Sequence, residues 1–188
     1  MIQFEENQIR IDRLKRAFKK PSKLIQMLGN RYYSIMEPLY VSKTPTIIDI
    51  EPTSACNLKC IMCHTIDWNR KKYFMEFNMF KKIISQFPNL IEVKLQGMGE
   101  PLLNKDFFLM TDYLQNQNIR IKLNTNGTML NDTNCEKIIK TGIDYLKISL
   151  DSPRAEVNDR IRKGGSLIKI TEGIRRLVNK RNASKSKI

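Results

Sequence analysis

Three cysteines stand close together in one short segment and offer the clearest chemistry in the sequence. Cys56, Cys60 and Cys63 follow a C-x3-C-x2-C spacing. Thiolates this close can converge on one metal centre, but they are poorly placed to find three separate disulfide partners. An iron–sulfur cube held by three protein thiolates keeps one iron open to a substrate or cofactor, just as a catalytic zinc ion keeps an open position.

A single zinc ion is the competing interpretation of the same segment. His64 directly follows Cys63 and could complete a Cys3His ligand set. Adjacent residues rarely reach one tetrahedral ion without strain, and the segment follows a predicted strand, so the pattern favours a cluster over zinc. The fourth cysteine, Cys135, is isolated on a predicted helix, where an inert core position is expected.

Two further polar segments follow predicted strands. In Q-G-M-G-E-P, Gly97 and Gly99 permit close approach of the backbone to a ligand, and Glu100 offers an acceptor for an ammonium group. In N-T-N-G-T, amide and hydroxyl groups that include Asn126 could bond a sugar or a base. The Gly-containing segment and the Asn-Gly pair are also ordinary turn signals, so each motif alone is weak.

A last polar segment, S-L-D-S, follows the fourth predicted strand. Ser149 and Asp151 alternate along it and share one face. A polar pair at the end of a buried strand could satisfy a ribose or an amino-acid group of a ligand. A simple turn and helix cap is the alternative.

The elements that must position these residues alternate between strand and helix. Predicted strands cover 46–51, 91–96, 119–124 and 144–150, and predicted helices cover 78–87, 105–115, 132–140 and 166–180. This alternation predicts an α/β fold of parallel units with right-handed crossovers, whose post-strand loops gather at one end. We expect the strands in sequence order, with an open edge after the fourth. Asp132 is the expected N-cap of its helix, and Gly142 its stop.

The two ends of the chain differ from the middle in charge. Residues 1–45 hold nine Lys/Arg against four Asp/Glu, and residues 154–188 hold eleven against three, whereas residues 46–153 hold thirteen against twelve. Basic ends can attract nucleic acid, anionic lipid or an acidic partner, or they can be solvated helix faces. Residues 9–36 have amphipathic helical spacing, with a break expected at Pro21 and a weak point at Gly29.

The remaining composition bounds the class of protein. Its 188 residues are 41% hydrophobic and 28% charged, which is typical of a soluble globular domain. The sequence has no apolar run near the ~18 residues of a membrane span, and Met1 is not followed by an apolar signal segment. We therefore expect a cytoplasmic protein. The expected organisation is a basic helical leader at 1–44, a core at 45–181 and a disordered tail at 182–188.

Together, the cysteine motif and the three polar motifs resemble the radical S-adenosylmethionine superfamily. The resemblance runs from about Pro45 to Leu177 and is closest to the branch of molybdenum-cofactor cyclases and SPASM-type maturases. It implies a partial (β/α)6 TIM-like barrel, here truncated after about four βα units. It also implies a [4Fe–4S] cluster on Cys56, Cys60 and Cys63, with the open iron chelated by S-adenosylmethionine.

The resemblance also implies a set of cofactor-binding residues. Gly97, Gly99 and Glu100 match the segment that receives the amino group of the cofactor. Ser149 and Asp151 match positions near its ribose or carboxylate. Arg162, the last residue of N-D-R-I-R, matches an arginine that pairs with the carboxylate. Asn126 completes the expected set. One departure is Met62, which stands where an aromatic residue often precedes the third cysteine.

The function implied by the resemblance is that of an oxidoreductase or maturase-like enzyme. It would reductively cleave S-adenosylmethionine to a 5′-deoxyadenosyl radical, which abstracts hydrogen from an unknown substrate, with reduced flavodoxin or ferredoxin as electron donor. A chain that ends after four βα units is expected to be a fragment or a truncated product. Two alternatives remain open: a degenerate cluster-binding module without turnover, and a zinc-binding protein that binds nucleic acid or a partner.

Overall fold

The computed structural model describes residues 2–39, 43–64 and 71–184, with side chains from residue 8 onward. Its strands are β1 Ile47–Ile50, β2 Lys59–Cys60, β3 Glu92–Leu95, β4 Arg120–Thr125, β5 Tyr145–Ile148 and β6 Arg162–Lys163. Its α-helices are α1 Ile2–Phe18, α2 Pro21–Met36, α3 Phe77–Ser85, α4 Phe107–Asn116, α5 Asp132–Lys140, α6 Ala155–Ile161 and α7 Leu167–Ser184. Helix α7 extends four residues past its predicted end, and residues 185–188 of the expected tail lie outside the described ranges.

A four-stranded parallel sheet forms the centre of the molecule. Its strands stand in the order β1-β3-β4-β5, which confirms the predicted parallel βα architecture. The central strands β3 and β4 are the most buried of the sheet. Strand β5 pairs only with β4 among the described residues, so the expected open edge is present there.

Helices α3, α4, α5 and α7 supply the apolar layer that covers the sheet. Phe80, Phe107 and Ile138 are fully buried in this core together with the apolar residues of β3 and β4. The predicted N-cap of α5, Asp132, was wrong by one residue. Asn131 is the N-cap and accepts a hydrogen bond from the Asn134 backbone N–H at 2.8 Å, because its side chain lies one position outside the first helical turn.

Helix α6 and the antiparallel pair β2–β6 were not predicted. The helix has only seven residues, and its buried side chain is the polar Asn158, so it carries no apolar periodicity. The β2–β6 pair has two residues on each side and joins parts of the chain about 100 positions apart. Such a contact leaves no local pattern in the sequence.

Helix α1 lies at the N-terminal ends of the strands. Arg13 forms a two-pronged ion pair with Glu92 at the start of β3, and Arg120 at the start of β4 binds the same carboxylate at 2.8 Å. Arg16 pairs with Asp144, immediately before β5. The charged first helix therefore closes the end of the sheet opposite the strands' carboxyl ends.

The predicted break between the two N-terminal helices is confirmed, but the weak point at Gly29 was wrong. Pro21 is the first residue of α2, where its missing N–H costs nothing. Helix α2 continues through Gly29, where a Cβ would come within 2.8 Å of Lys43 Nζ, so the glycine makes room for the returning chain. In the described part of the chain, no helix has the length and apolarity needed to cross a bilayer.

Candidate functional site

One cavity of about 280 Å³ lies at the carboxyl ends of the strands and collects the polar motifs. Its lining comprises Cys56, Leu58, Cys60, Met62, Cys63, Gly97, Met98, Gly99, Glu100, Asn124, Thr125, Asn126, Ser149 and Arg162. Nine of the ten site residues expected from the sequence are in this lining. The tenth, Asp151, lies behind it and pairs with Arg162. The loops after four different strands therefore meet at one place.

The cysteine loop is fixed by the segment that follows α6. Cys60 in β2 pairs with Arg162 in β6, and the Ile61 backbone N–H donates to the Ile161 carbonyl at 2.9 Å. The Cys63 N–H donates to the Cys60 carbonyl at 2.9 Å, which makes a tight turn between the second and third cysteines. The middle cysteine and Arg162 are therefore positioned by the same two-stranded ladder.

The cysteine loop carries its sulfurs as thiols and not as disulfides. The four cysteines, all within the described ranges, form no disulfide. Burial raises the pKa of the Cys60 thiol; Arg162 lowers it, while Cys56, Cys63 and Asp151 raise it further. Nowhere in the described residues do three His, Cys, Asp or Glu side chains stand close enough to hold a single ion.

The zinc and cluster interpretations require different arrangements of the cysteine sulfurs. A single zinc ion with Zn–S bonds of about 2.3 Å would draw all its ligands into one tetrahedron. In an iron–sulfur cube each thiolate binds a different iron, so the sulfurs stand further apart around one space. Cys56, Cys60 and Cys63 line one cavity, whereas His64 is exposed and is not part of that lining, so the arrangement suits the cube better than a Cys3His zinc site.

Gly97 and Gly99 are required by packing between loops. A Cβ on Gly99 would lie 2.1 Å from the Thr53 carbonyl oxygen, and one on Gly97 would lie 2.4 Å from Glu51 Cγ. The backbone N–H of Glu100, which follows Gly99, donates a hydrogen bond to the Ala55 carbonyl at 2.8 Å. The close backbone approach expected from the sequence is thus made to the segment leading into the cysteine loop. The two loops are locked together at the cavity wall.

Glu100 has its carboxylate occupied by the protein itself. The side chain is buried and accepts hydrogen bonds from Thr125 Oγ1 at 2.8 Å, the Asn126 N–H at 2.7 Å and the Leu102 N–H at 3.2 Å. Burial raises its pKa, and the three hydrogen bonds offset part of that rise. The observed contacts therefore tie the loop after β3 to the loop after β4, a role that the sequence did not indicate.

Replacing Glu100 with glutamine is expected to loosen the loop after β4. The amide presents an NH2 group where one carboxylate oxygen now accepts, so the Asn126 or the Leu102 N–H loses its acceptor. The cost is about 2 kcal/mol of unfolding free energy for one buried unsatisfied donor. Hydrogen exchange should accelerate at Asn126 or at Leu102, whichever N–H loses its acceptor, whereas Glu156→Gln on the exposed face of α6 should change neither the stability nor these exchange rates. Unchanged exchange at both positions would contradict this role.

An amide and hydroxyl network reaches the first cysteine. Asn126 Nδ2 donates to Asn57 Oδ1 at 2.9 Å and lies 3.8 Å from Cys56 Sγ. Its Oδ1 accepts from the Thr128 backbone N–H, which fixes the orientation of the amide. Asn57 Nδ2 in turn donates to Thr128 Oγ1 at 2.8 Å. Donors to a cluster thiolate are among the features that tune its reduction potential.

Asn57 was missed as a site residue, although its sequence position carried a signal. It directly follows the first cysteine, where an amide side chain is within reach of the metal centre. Thr128 lies in the N-T-N-G-T motif but was not assigned a role of its own. Met62 is about half exposed at the cavity wall, where a flexible apolar contact replaces the aromatic residue of the resemblance.

Arg162 is held at the cavity wall by an ion pair. Its buried Nε lies 2.6 Å from Asp151 Oδ2. Asn158 Oδ1 holds the Asp151 backbone N–H at 3.1 Å. A largely buried guanidinium beside Cys60 in the cavity lining is chemically suited to an anionic group there.

Comparisons with known proteins agree with this geometry. Mycofactocin maturase MftC of Mycolicibacterium smegmatis is 29% identical over 136 residues, which cover 72% of this chain and 35% of that protein. A probable GTP 3′,8-cyclase of Methanocaldococcus jannaschii is 31% identical over 135 residues, 69% of this chain and 44% of that protein. The crystal structure of anSMEcpe with bound AdoMet (S-adenosylmethionine) superposes with a TM-score of 0.60 at 26% identity, covering 74% of this chain and 42% of that one.

The chain spans between about a third and less than half of the length of these relatives. The Radical SAM superfamily model matches residues 50–186, from the end of β1 to beyond the described part of α7. That family uses a [4Fe–4S] cluster with S-adenosylmethionine, and the residues at the cavity fit both. The matched segment contains the cysteine loop and all of the parallel sheet after β1, so this chain belongs to the radical SAM superfamily.

Proposed function

We propose that this chain holds a [4Fe–4S] cluster through Cys56, Cys60 and Cys63 and positions S-adenosylmethionine against it. The observation that carries the proposal is the meeting of the three thiols and Arg162 in one cavity at the carboxyl ends of the strands. When bound, the reduced cluster supplies the electron that splits the cofactor into methionine and a 5′-deoxyadenosyl radical. The protein's own residues bind the cofactor, orient it and shield the reaction from solvent.

Several groups of the chain are suited to orient the cofactor. Arg162, which lines the cavity beside the cysteine ladder, is proposed to pair with the cofactor carboxylate. The backbone carbonyls of Gly97, Met98 and Gly99, which line the cavity, are proposed as acceptors for the amino group. The Ser149 hydroxyl and the Asn126 amide, also in the lining, are proposed to bind the ribose or the base. Asp151 acts on Arg162 through the ion pair rather than on the cofactor directly.

The open edge beyond β5 bears on turnover. Without a further strand beside β5, the described residues leave this side of the site unshielded, and an unshielded radical is quenched by water or thiols before productive transfer. We therefore propose that residues 1–188 alone make at most slow, uncoupled 5′-deoxyadenosine. Coupled turnover on an as yet unknown substrate would need further chain or a partner.

The cellular setting follows from the same chemistry. An open iron–sulfur centre needs a reducing compartment and a low-potential donor, for which reduced flavodoxin or ferredoxin is suited. Four cysteines without a disulfide agree with a cytoplasmic location, where thiols stay reduced. The electron donor and the cytoplasmic location are both parts of the proposal.

Arg162→Gln is expected to weaken S-adenosylmethionine binding about tenfold, which matches the loss of one charge-assisted hydrogen bond. The cluster should still assemble, because the three thiols remain. Arg160→Gln is the matched control, since Arg160 is exposed on the preceding helix. Titration of each reconstituted variant with S-adenosylmethionine measures its affinity for the cofactor. Equal affinities for the two variants would contradict the assignment of Arg162.

The function itself is tested by product analysis. Anaerobically reconstituted protein, reduced in the presence of S-adenosylmethionine, should yield methionine and 5′-deoxyadenosine in equal amounts. A protein that holds the cluster and yields neither product would be a cluster-binding module without turnover. A protein that binds zinc and assembles no cluster would refute the proposal altogether.

A further inference from the structure

Helix α2 is docked with its polar face toward the protein. Lys23 and Gln26 are buried, and Gln26 Nε2 donates to the Thr44 carbonyl. Asn30 Nδ2 donates to the same carbonyl at 3.2 Å, and Ser22 Oγ donates to Asn89 Oδ1 at 2.9 Å. Leu24 and Met27 are also half-buried, but the attachment is largely polar, unlike the usual arrangement in which a surface helix turns its most apolar face to the core.

The apolar face of α2 is consequently left in solvent. Ile25, Leu28, Tyr32 and Ile35 recur at intervals of three and four residues, and each is between 58% and 65% exposed. Met36 adds to the same stripe, and the exposed side chains Ile11, Leu14 and Phe18 extend an apolar face along α1. Such a run of exposed large apolar side chains is a feature of interaction surfaces rather than of scattered surface residues.

The charge around this stripe is strongly positive. Among the described side chains of α1, α2 and the residues joining or following them, the exposed charged groups are Arg10, Lys15, Lys19, Lys20, Arg31 and Glu37. Five cations therefore stand against one anion. The neighbouring positive charge also acts on Lys23, whose pKa is lowered by burial and by Lys20 and Arg16.

The basic C-terminal helix contributes to the same end of the molecule. Arg181, near the end of α7, lines a groove with Asp144, and Asp144 is the partner of Arg16 in α1. Arg181 of the C-terminal helix thus lies near the N-terminal ends of the strands, on the same side as α1. The cysteine cavity lies at the opposite ends, so a contact made by α1 and α2 leaves that cavity accessible.

We propose that α1 and α2 form a docking surface for an anionic lipid bilayer, with the stripe Ile25–Ile35 in the headgroup region and the flanking lysines against acidic headgroups. An aromatic and aliphatic face bordered by Lys and Arg is the pattern of interfacial helices. A second copy of the chain is disfavoured as the occupant, because the two basic faces would repel each other. The protein is thereby a peripheral membrane protein.

Vesicle sedimentation tests the proposal with the full chain. Wild-type protein should sediment with phosphatidylglycerol-containing vesicles and far less with pure phosphatidylcholine vesicles, and added salt should release it. Ile35→Glu should lower the fraction bound by at least about tenfold, because an inserted isoleucine is lost and a like charge is added. Leu28→Gln, which adds no charge, should lower it in the same direction.

The matched control is Ile168→Glu at the start of α7. Ile168 is 64% exposed and Ile35 is 65% exposed, so the two substitutions replace equally exposed isoleucines on different surfaces of the protein. Equal losses for both variants, or no binding of wild-type protein to either vesicle, would overturn the proposal. So would a wild-type dimer in solution that Ile35→Glu converts to a monomer, since a second copy would then cover the stripe.

Discussion

Cys60→Ala protein is expected to assemble no complete cluster after anaerobic reconstitution, whereas wild-type protein should hold about four irons and four sulfides. Cys60 is the middle ligand of the loop and is held in the β2–β6 ladder at the cavity wall. Without its thiolate, two ligands remain for a cube that already has one open iron. Iron and acid-labile sulfide analysis, with the visible absorption of the cluster, measures the loss.

Cys135→Ala provides the matched control for this loss. Cys135 is fully buried between α5 and α7, and its Sγ is 4.0 Å from the Gly173 carbonyl oxygen, far along the chain from the other three thiols. Its replacement should leave iron and sulfide unchanged. A full cluster in Cys60→Ala protein, or an equal loss in both variants, would refute the ligand assignment.

Glu92→Gln is expected to lower the free energy of unfolding by about 3 kcal/mol, because it removes one partner from a buried charge network. The Glu92 side chain is fully buried, and its carboxylate binds Arg13 on α1 and the nearly buried Arg120 on β4, with Lys122 Nζ 3.9 Å away. The variant leaves the Arg120 guanidinium without a counter-charge. Denaturant titration measures the change, and Glu172→Gln on the exposed face of α7 should have little effect.

The same carboxylate makes a distinct pH prediction. Burial alone would raise the pKa of Glu92, but the hydrogen bonds and charges of Arg13, Lys122 and Arg120 outweigh it, and the net pKa is lowered. An acid with a lowered folded pKa stabilises the fold above its unfolded value of about 4.3, and this stabilisation is lost as pH falls through the folded pKa. Wild-type protein should therefore lose more stability than Glu92→Gln protein below about pH 4.3. Parallel acid profiles would contradict this.

The parallel sheet was accessible from the sequence because each of its elements has a local pattern. Residues 91–96 and 119–124 are short runs rich in β-branched and aliphatic residues, and the helices between them have apolar spacing on one face. Once strands and helices alternate, the handedness of the connections places every post-strand loop at one end. The gathering of the cysteine loop with Ser149 and Asn126 follows from that rule alone.

The contacts that hold the site together were less accessible, because they join distant positions by single hydrogen bonds. The acceptor role of Glu100 toward the loop after β4 depends on which way one side chain turns. The pairing of β2 with β6 involves two residues on each strand. The glycine at 99 was recognised as a place of close approach, but its partner, the Thr53 carbonyl, could not be identified without coordinates.

The exposed apolar stripe of α2 shows a different limit of prediction from sequence. Apolar spacing in a sequence identifies an amphipathic helix but not the side that faces the protein. Here Gln26 and Asn30 find a backbone acceptor at Thr44, and that attachment decides the orientation. The sequence therefore supported either a surface helix docked on the core or a helix that binds a membrane surface or a partner. The two become distinguishable only when the exposure of Ile25 and Ile35 is known.

The most direct test of the central claim is electron paramagnetic resonance of the reduced, reconstituted protein before and after addition of S-adenosylmethionine. If Cys56, Cys60 and Cys63 hold a [4Fe–4S] cluster whose open iron faces the cavity, the reduced protein should show a cluster signal whose g values shift when the cofactor is added. The shift should need a higher cofactor concentration in Arg162→Gln protein. A cluster signal that the cofactor leaves unchanged, or no cluster signal at all, would contradict the account.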